Sequence, residues 1–277
     1  MLASASIQLL TAWNLDPSIF LGTAALCGLY LYCVGPLRRR YHWAPEVKRS
    51  QVAAFLVGTG IMFLALVTPL DELGDEYLFS AHMVQHLLIT VVAPPLWLLG
   101  TPGWLMKAII QQPITYRVLR VLTKPPIAFF LFNGVFAVWH LPVLYDLTLT
   151  NENIHILEHL MFMATAVLNW WPVLSPVPDL LPRLPYGSQI LYLFANCQVM
   201  VALGALLFFV GPIYTPYLAA PRIFGISPAD DQTIGALIMW VPGTIVYLFA
   251  MSIVFYFWFE QHEGEEDFGA SEQNFTQ

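Results

Sequence analysis

The sequence predicts an all-α membrane protein, a bundle of seven transmembrane helices with its N-terminus outside and its C-terminus in the cytoplasm. Three observations lead there: composition, the number of long apolar runs, and the placement of basic residues between them. Of the 277 residues, 58% are hydrophobic and only 10% are charged, whereas soluble domains carry about 25% charged residues. This composition excludes an ordinary soluble enzyme, and no basic, aromatic-interleaved segment indicates nucleic-acid binding.

Seven apolar runs approach the roughly 20 residues that cross a bilayer core about 30 Å thick. They cover roughly residues 17–35, 51–69, 81–100, 126–142, 154–174, 188–211 and 234–259. Pro94 and Pro95 are expected to kink the third run, and Pro242 the seventh, which membrane helices tolerate. The sequence therefore predicts an extracytoplasmic segment at 1–16, a transmembrane domain at 17–259 and a disordered acidic cytoplasmic tail at 260–277.

Basic residues between the runs give the orientation, because positive charge stays in the cytoplasm. The loops after the first, third and fifth runs hold five, four and one Lys or Arg, ten of the eleven in the chain. The other side holds only Arg222, and the loop after the second run carries four acids and no base. This alternation predicts a multi-pass membrane protein in contact with the lipid bilayer.

Five of the seven histidines lie in or beside a predicted span, where ionisable residues are rare and usually functional. They are His82, His86, His140, His155 and His159. The third and fifth runs start at the outer surface and the fourth ends there, so all five are expected in one outer layer. His86 lies about 6 Å below His82 at 1.5 Å per residue.

The spacing of these histidines indicates metal binding. His82 and His86 are four residues apart, as are His155 and His159, which places each pair on one helix face. Two such pairs with His140 supply enough imidazoles for one or two ions. Imidazole suits copper, zinc and iron alike, and a polar network, a proton path or a haem site remain alternatives.

Other polar residues have structural and functional interpretations. The segment His155-Ile-Leu-Glu158-His159 matches a short zinc-protease pattern, but Glu158 fits better as a partner that orients an imidazole or caps the helix. Asp230 and Asp231 either stabilise the start of the seventh helix or support the histidine layer. Gln85 is expected to bond a neighbouring helix. The three cysteines form no CxxC pair and predict no disulfide framework.

Four segments together resemble the multi-pass CtaG family of cytochrome c oxidase assembly factors. The segments are Ser80-Ala-His82-Met-Val-Gln-His86 continuing to Gly100-Thr-Pro, Trp139-His140-Leu-Pro, His155-Ile-Leu-Glu158-His159 with Asn169-Trp-Trp-Pro, and Asp231-Gln-Thr-Ile-Gly through Trp240-Val-Pro-Gly. The resemblance covers roughly residues 50 to 258. The same family name is used for a single-span copper chaperone with a cysteine pair, which this chain does not resemble.

The resemblance implies a non-catalytic role in maturing haem–copper oxidase, with copper placed in an oxidase subunit as one route. It also implies the bacterial cell (inner) membrane as the location. The five histidines match the family's motif positions and are the expected metal ligands, for copper or alternatively zinc. Expected partners are a cytochrome c oxidase subunit or a copper chaperone. Two other classes stay open: a zinc-dependent seven-helix membrane hydrolase, and a haem-b electron carrier.

Overall fold

The structure, a computed structural model, describes residues 12–44 and 46–275, with side chains described as far as Gln261. The described part of the chain consists of helices joined by loops and contains no strand. The helices in chain order are α1 (Pro17–Tyr41), α2 (Arg49–Val67), α3 (Pro69–Glu76), α4 (Phe79–Gly100), α5 (Gly103–Ile110), α6 (Pro113–Leu122), α7 (Pro125–Trp139), α8 (Pro142–Thr150), α9 (Glu152–Leu174), α10 (Tyr186–Val210), α11 (Thr215–Ala219) and α12 (Pro228–Phe275).

Five helices are long and apolar enough to cross a membrane: α1, α2, α4, α10 and α12. A sixth span is possible if α6 and α7, which meet at an angle of 76°, count as one broken span. The chain is thus a multi-pass membrane protein. The fifth predicted run forms α9, which is 23 residues long but is not among the helices apolar enough to count as spans. Seven spans and their orientation therefore stay predictions.

The predictions for the two terminal segments, 1–16 and 260–277, stay predictions. Residues 1–11 of the predicted extracytoplasmic segment lie outside the described residues. Helix α12 extends to Phe275, and the predicted disorder of the acidic tail at 260–277 stays a prediction.

Helix α4 is the central element, because α2, α3, α9 and α12 all pack against it. Its close approach to α2 depends on Gly100, where a Cβ atom would overlap the backbone of Phe55. The carbonyl of Gly100 also accepts a hydrogen bond from the Tyr30 hydroxyl at 2.7 Å. These contacts fix the far end of α4 against α1 and α2.

The predicted distortion of the third run occurs just before its prolines. A π-helical turn at Leu88–Val92 divides α4, and Pro94 and Pro95 begin the segment beyond it, where a missing N–H is least costly. Such single π turns are frequent at functional sites. The turn starts two residues after His86 and separates the histidine-bearing half of α4 from its apolar half.

Asp231 joins α12 to the start of α4. Its carboxylate accepts hydrogen bonds from the backbone N–H groups of Phe79 and Ser80 at 2.7 and 3.1 Å, and from the Ser80 hydroxyl at 2.5 Å. These N–H groups belong to the first turn of α4 and have no partner within the helix. Asp231 therefore caps α4 from another helix and fixes the position of the histidines one turn further on.

Candidate metal centre

The structure brings the five predicted histidines into one buried cluster from three helices. His82 and His86 come from the first turns of α4, His155 and His159 from the first turns of α9, and His140 follows the end of α7. All five residues are 9% exposed or less. Helix α9 starts where Asn151 accepts hydrogen bonds from two backbone N–H groups of its first turn, which sets the depth of its histidine pair.

Within each pair the two imidazoles face each other through their Nε2 atoms. The Nε2 atoms of His82 and His86 are 2.6 Å apart, and those of His155 and His159 are 3.1 Å apart. In tetrahedral coordination with bonds of 2.0–2.1 Å, two ligand nitrogens lie about 3.3 Å apart. The spacing of the α9 pair is thus close to that of two ligands on one ion, whereas the two nitrogens of the α4 pair lie closer together than that.

The pairs on α4 and α9 also lie against each other. Ring centroids are 5.3 Å apart for His82 and His155 and 5.3 Å for His86 and His159. His140 is more distant, with its ring 6.2 Å from that of His86. The four histidines of α4 and α9 therefore form the compact part of the cluster, and His140 lies at its margin.

Neighbouring groups hold the Nδ1 atoms of three histidines. His140 Nδ1 donates to the carbonyl of Phe136 at 2.7 Å, and His155 Nδ1 lies 3.3 Å from an Asp75 carboxylate oxygen. His82 Nδ1 lies 3.2 Å from the Tyr217 hydroxyl, whose own proton goes to the carbonyl of Gly74. A proton on Nδ1 leaves the Nε2 lone pair free, which is how proteins orient metal-binding imidazoles.

Glu158 points into the same cluster. Its side chain is fully buried, and neither carboxylate oxygen has a hydrogen-bond partner of good geometry among the described residues, although the Thr148 hydroxyl lies nearby. One oxygen lies 4.0 Å from His86 Nε2. Buried polar atoms are normally paired, so an unpaired carboxylate among imidazoles is the arrangement expected of a site that receives a cation.

Four residues have the closest arrangement for a single ion: His82, His155, Glu158 and His159. Each offers one ligand atom, and these atoms all lie within 4.8 Å of one another. Three nitrogens and one carboxylate oxygen are a common zinc-type donor set. The side chains present therefore fit a metal ion, with His86 beside the set and His140 outside it.

Sequence reasoning missed Asp75 and Tyr217 as partners of the histidines and assigned Glu158 a supporting role outside the ligand set. Asp75 belongs to the acidic loop, which served only as an indicator of topology. Its two oxygens lie 3.3 Å from His155 Nδ1 and 3.9 Å from His82 Nδ1. The available signal was its position in α3, seven residues before His82. Tyr217 offered no comparable signal.

A water-accessible cavity of about 650 Å³ leads to the cluster. His155 and His159 form part of its wall. Its carboxylates come from Asp16 before α1, from α3 and from the start of α9, with no Lys or Arg among the lining residues. Asp71 is one of the lining carboxylates, and burial, with Asp75 nearby, raises the pKa of its carboxyl to about 6.

The Asp71 carboxylate accepts a hydrogen bond from Gln85 at 2.6 Å. Gln85 also donates to the carbonyl of Ala65 on α2, which confirms the predicted bonding of Gln85 to a neighbouring helix.

The fold and the cluster define a class: a multi-pass helical membrane protein with a buried histidine–carboxylate cluster reached through an acidic cavity. The family model for cytochrome c oxidase caa3 assembly factors, Caa3_CtaG, matches residues 28–261. This chain belongs to that family, as its motifs predicted. The five histidines lie within the matched region.

The chain is also similar to curated proteins that are themselves uncharacterized. Proteins from Mycobacterium bovis, Mycobacterium tuberculosis and Mycobacterium leprae are each 25% identical to it over 253 residues, 84% of this chain. The match covers 37% of each relative, so this chain corresponds to one part of those longer proteins. No solved structure matches the chain.

Proposed function

We propose that this protein assists cytochrome c oxidase assembly by holding a copper ion, as cargo, in the histidine cluster and passing it to an oxidase subunit. Family membership supports the assembly role. The observation that carries the copper step is the convergence of His82, His155 and His159 on the buried, unpaired Glu158. The role is non-catalytic, and the partner is an oxidase subunit or a copper chaperone.

The donor set favours certain oxidation states of the cargo. Imidazole and carboxylate suit copper(II) and zinc, whereas copper(I) prefers thiolate and thioether ligands. None of the four residues with the closest arrangement carries sulfur. We therefore expect the order copper(II), then zinc, then copper(I) for affinity, with copper(II) above zinc in the usual series of divalent metals.

The acidic cavity supports delivery from outside the bacterial inner membrane. In the proposed topology seven helices cross the membrane, α9 among them, since 23 residues reach about 34 Å at 1.5 Å per residue. Its lower apolarity comes from the histidines, Glu158 and asparagines that it contributes. The cavity then opens to the extracytoplasmic side, and the ten basic residues lie in the cytoplasm.

Metal content measured by mass spectrometry tests the proposal. Detergent-purified protein is loaded separately with copper(II), anaerobic copper(I) and zinc, and a His86→Ala, His159→Ala double variant is treated alongside. The matched control is His42→Asn, because His42 lies outside the cluster with φ 53°, a conformation that Asn tolerates. We expect near-stoichiometric copper in the wild type and the control, and its loss from the double variant.

Two results of the metal-loading experiment would contradict the proposed site. No metal in any form of the protein contradicts the ligand assignment. Metal retained equally by the double variant places the site elsewhere. In cells that lack the protein, restoration of copper-loaded oxidase by the wild type and not by the double variant supports delivery.

A zinc-dependent membrane hydrolase is a second candidate, because Glu158 lies beside three histidines in the way a general base lies beside zinc ligands. Zinc lowers the pKa of bound water to about 7, and Glu158 would take its proton. This function predicts tightly held zinc, and a Glu158→Gln variant that keeps zinc but loses hydrolysis of a lipid or peptide bond. The haem-b alternative, tested by an absorbance spectrum, has no specific contact that favours it.

A further inference from the structure

A second cavity lies at the end of the bundle opposite the histidine cluster. It has a volume of about 1140 Å³, slightly above the roughly 300–1,000 Å³ of a typical small-molecule site. Its walls are the last turns of α4 and α9, the start of α10 and the middle of α12, from Val246 to Gln261. The lining is mainly aliphatic and aromatic, as in Leu96, Val173 and Phe249. We call this cavity the α4–α12 groove.

Arg183 is the one charged side chain among the residues that line the groove. Its Nε donates to the carbonyl of Ser175 at 2.9 Å, which fixes the guanidinium at the rim. The two terminal nitrogens have no partner among the described residues, and no acid lines the groove. A fixed guanidinium with free N–H groups is suited to a phosphate oxygen.

Trp170 supplies a second, independent indication of a ligand. This side chain lines the groove, is 3% exposed and stacks on Tyr247 with ring planes 8° apart. Its indole N–H is buried and has no hydrogen-bond acceptor among the described residues. A buried tryptophan N–H usually finds a partner, so the groove lacks an acceptor that a bound molecule would supply.

We propose that the α4–α12 groove binds one anionic phospholipid, with its phosphate at Arg183, an ester carbonyl as acceptor for Trp170 and its acyl chains along the apolar wall. One cation at the rim of a long apolar surface matches a molecule with one charged end. Basic pockets between membrane helices on the cytoplasmic side recognise anionic headgroups in this way. In the proposed topology Arg183 lies on that side.

Native mass spectrometry of the full chain tests the lipid site. The purified protein is incubated with phosphatidylglycerol or phosphatidylcholine of the same chain length, and bound lipid is counted for the wild type, Arg183→Gln and Arg117→Gln. Arg117 is an exposed arginine of α6 outside the groove. We expect an anionic preference of about fivefold in the wild type and in Arg117→Gln, lost in Arg183→Gln.

A Trp170→Phe variant keeps the ring and removes only the N–H donor, and we expect it to weaken retention of both lipids. Equal retention of the two lipids by the wild type overturns the proposal, as does Arg183→Gln behaving like Arg117→Gln. A copurifying polypeptide that occupies the groove and excludes lipid also overturns it. Metal loading is measured on the same samples, so failure of the lipid site is separable from failure of the copper site.

Discussion

Asp231 and Glu158 are both buried carboxylates at the same end of the helix bundle, but their surroundings differ. Asp231 is 3% exposed, and its oxygens accept from two backbone N–H groups and one hydroxyl. Glu158 is fully buried, and neither of its oxygens has a hydrogen-bond partner of good geometry among the described residues. Two of its neighbouring imidazoles, those of His82 and His155, have their Nδ1 atoms held by Tyr217 and Asp75.

The difference separates a structural carboxylate from a binding one. Desolvating a carboxylate is costly unless hydrogen bonds or charges compensate. For Asp231 the protein supplies that compensation itself by capping α4. For Glu158 the described residues supply no comparable set of hydrogen bonds, and a cation among its histidines would provide the compensation. The adjacent Gln232 is likewise a structural residue, because the protein satisfies its side chain. Its oxygen accepts from the backbone N–H of Ile213, and its Nε2 donates to the carbonyls of Leu207 and Gly211.

Substitution of Glu158 should have the largest effect on metal affinity. Changing partners of metal ligands costs about 10–100-fold, so loss of a charged ligand in Glu158→Gln is expected to cost more than about 100-fold. Without metal, a buried carboxyl that lacks compensating partners favours its neutral form, so the neutral amide of the metal-free variant should change stability by less than about 1 kcal/mol. Competition titration with a copper chelator and thermal unfolding measure the two effects, and a metal-free variant destabilised by more than that would contradict the account.

Asp231 should show the opposite behaviour. Asp231→Ala removes the cap of α4 and is expected to cost about 2 kcal/mol of stability, with a much smaller change in metal affinity. Asp230→Ala is the matched control, because Asp230 is exposed and bonds only Ser227 nearby, and its effect should stay within about 0.5 kcal/mol. Equal losses of stability in both variants would exclude capping by Asp231.

Asp75 tests the partners of the imidazoles. Asp75→Asn keeps an acceptor for one Nδ1–H but removes the negative charge shared by His82 and His155. We expect metal affinity to fall by about tenfold, at the lower end of the range for such partners, with the number of bound ions unchanged. Loss of a bound ion would instead make Asp75 a ligand.

The smallest effect is expected at the rim of the acidic cavity. Glu72→Gln with Glu76→Gln should slow copper uptake a few-fold at low ionic strength, and the difference should fall as salt screens the charges. Glu46→Gln, an exposed acid in the loop between α1 and α2, serves as control. Stopped-flow uptake measures the rates, and a salt-independent difference would argue against electrostatic attraction.

The grouping of the histidines was predictable from the sequence. Their four-residue spacing gives the helix face that each pair occupies, and the loop charges give their depth in the membrane. The sequence could not predict that Glu158 faces the cluster, since that depends on how α9 is rotated by packing against α4 and α7. The sequence likewise showed Asp75 only as one of four acids that indicate the orientation, because the approach of this segment to the histidine helices is set by tertiary packing. The span count stays open for a related reason: the residues that build the site make α9 less apolar.

X-ray absorption spectroscopy of the copper-loaded protein tests the central claim most directly, since it reports the ligands themselves. The account predicts a first shell of nitrogen and oxygen with the multiple scattering of at least three imidazoles, reduced by one light ligand in Glu158→Gln and unchanged in Asp231→Asn. A shell dominated by sulfur, or one unaffected by Glu158→Gln, would contradict the assignment of the site.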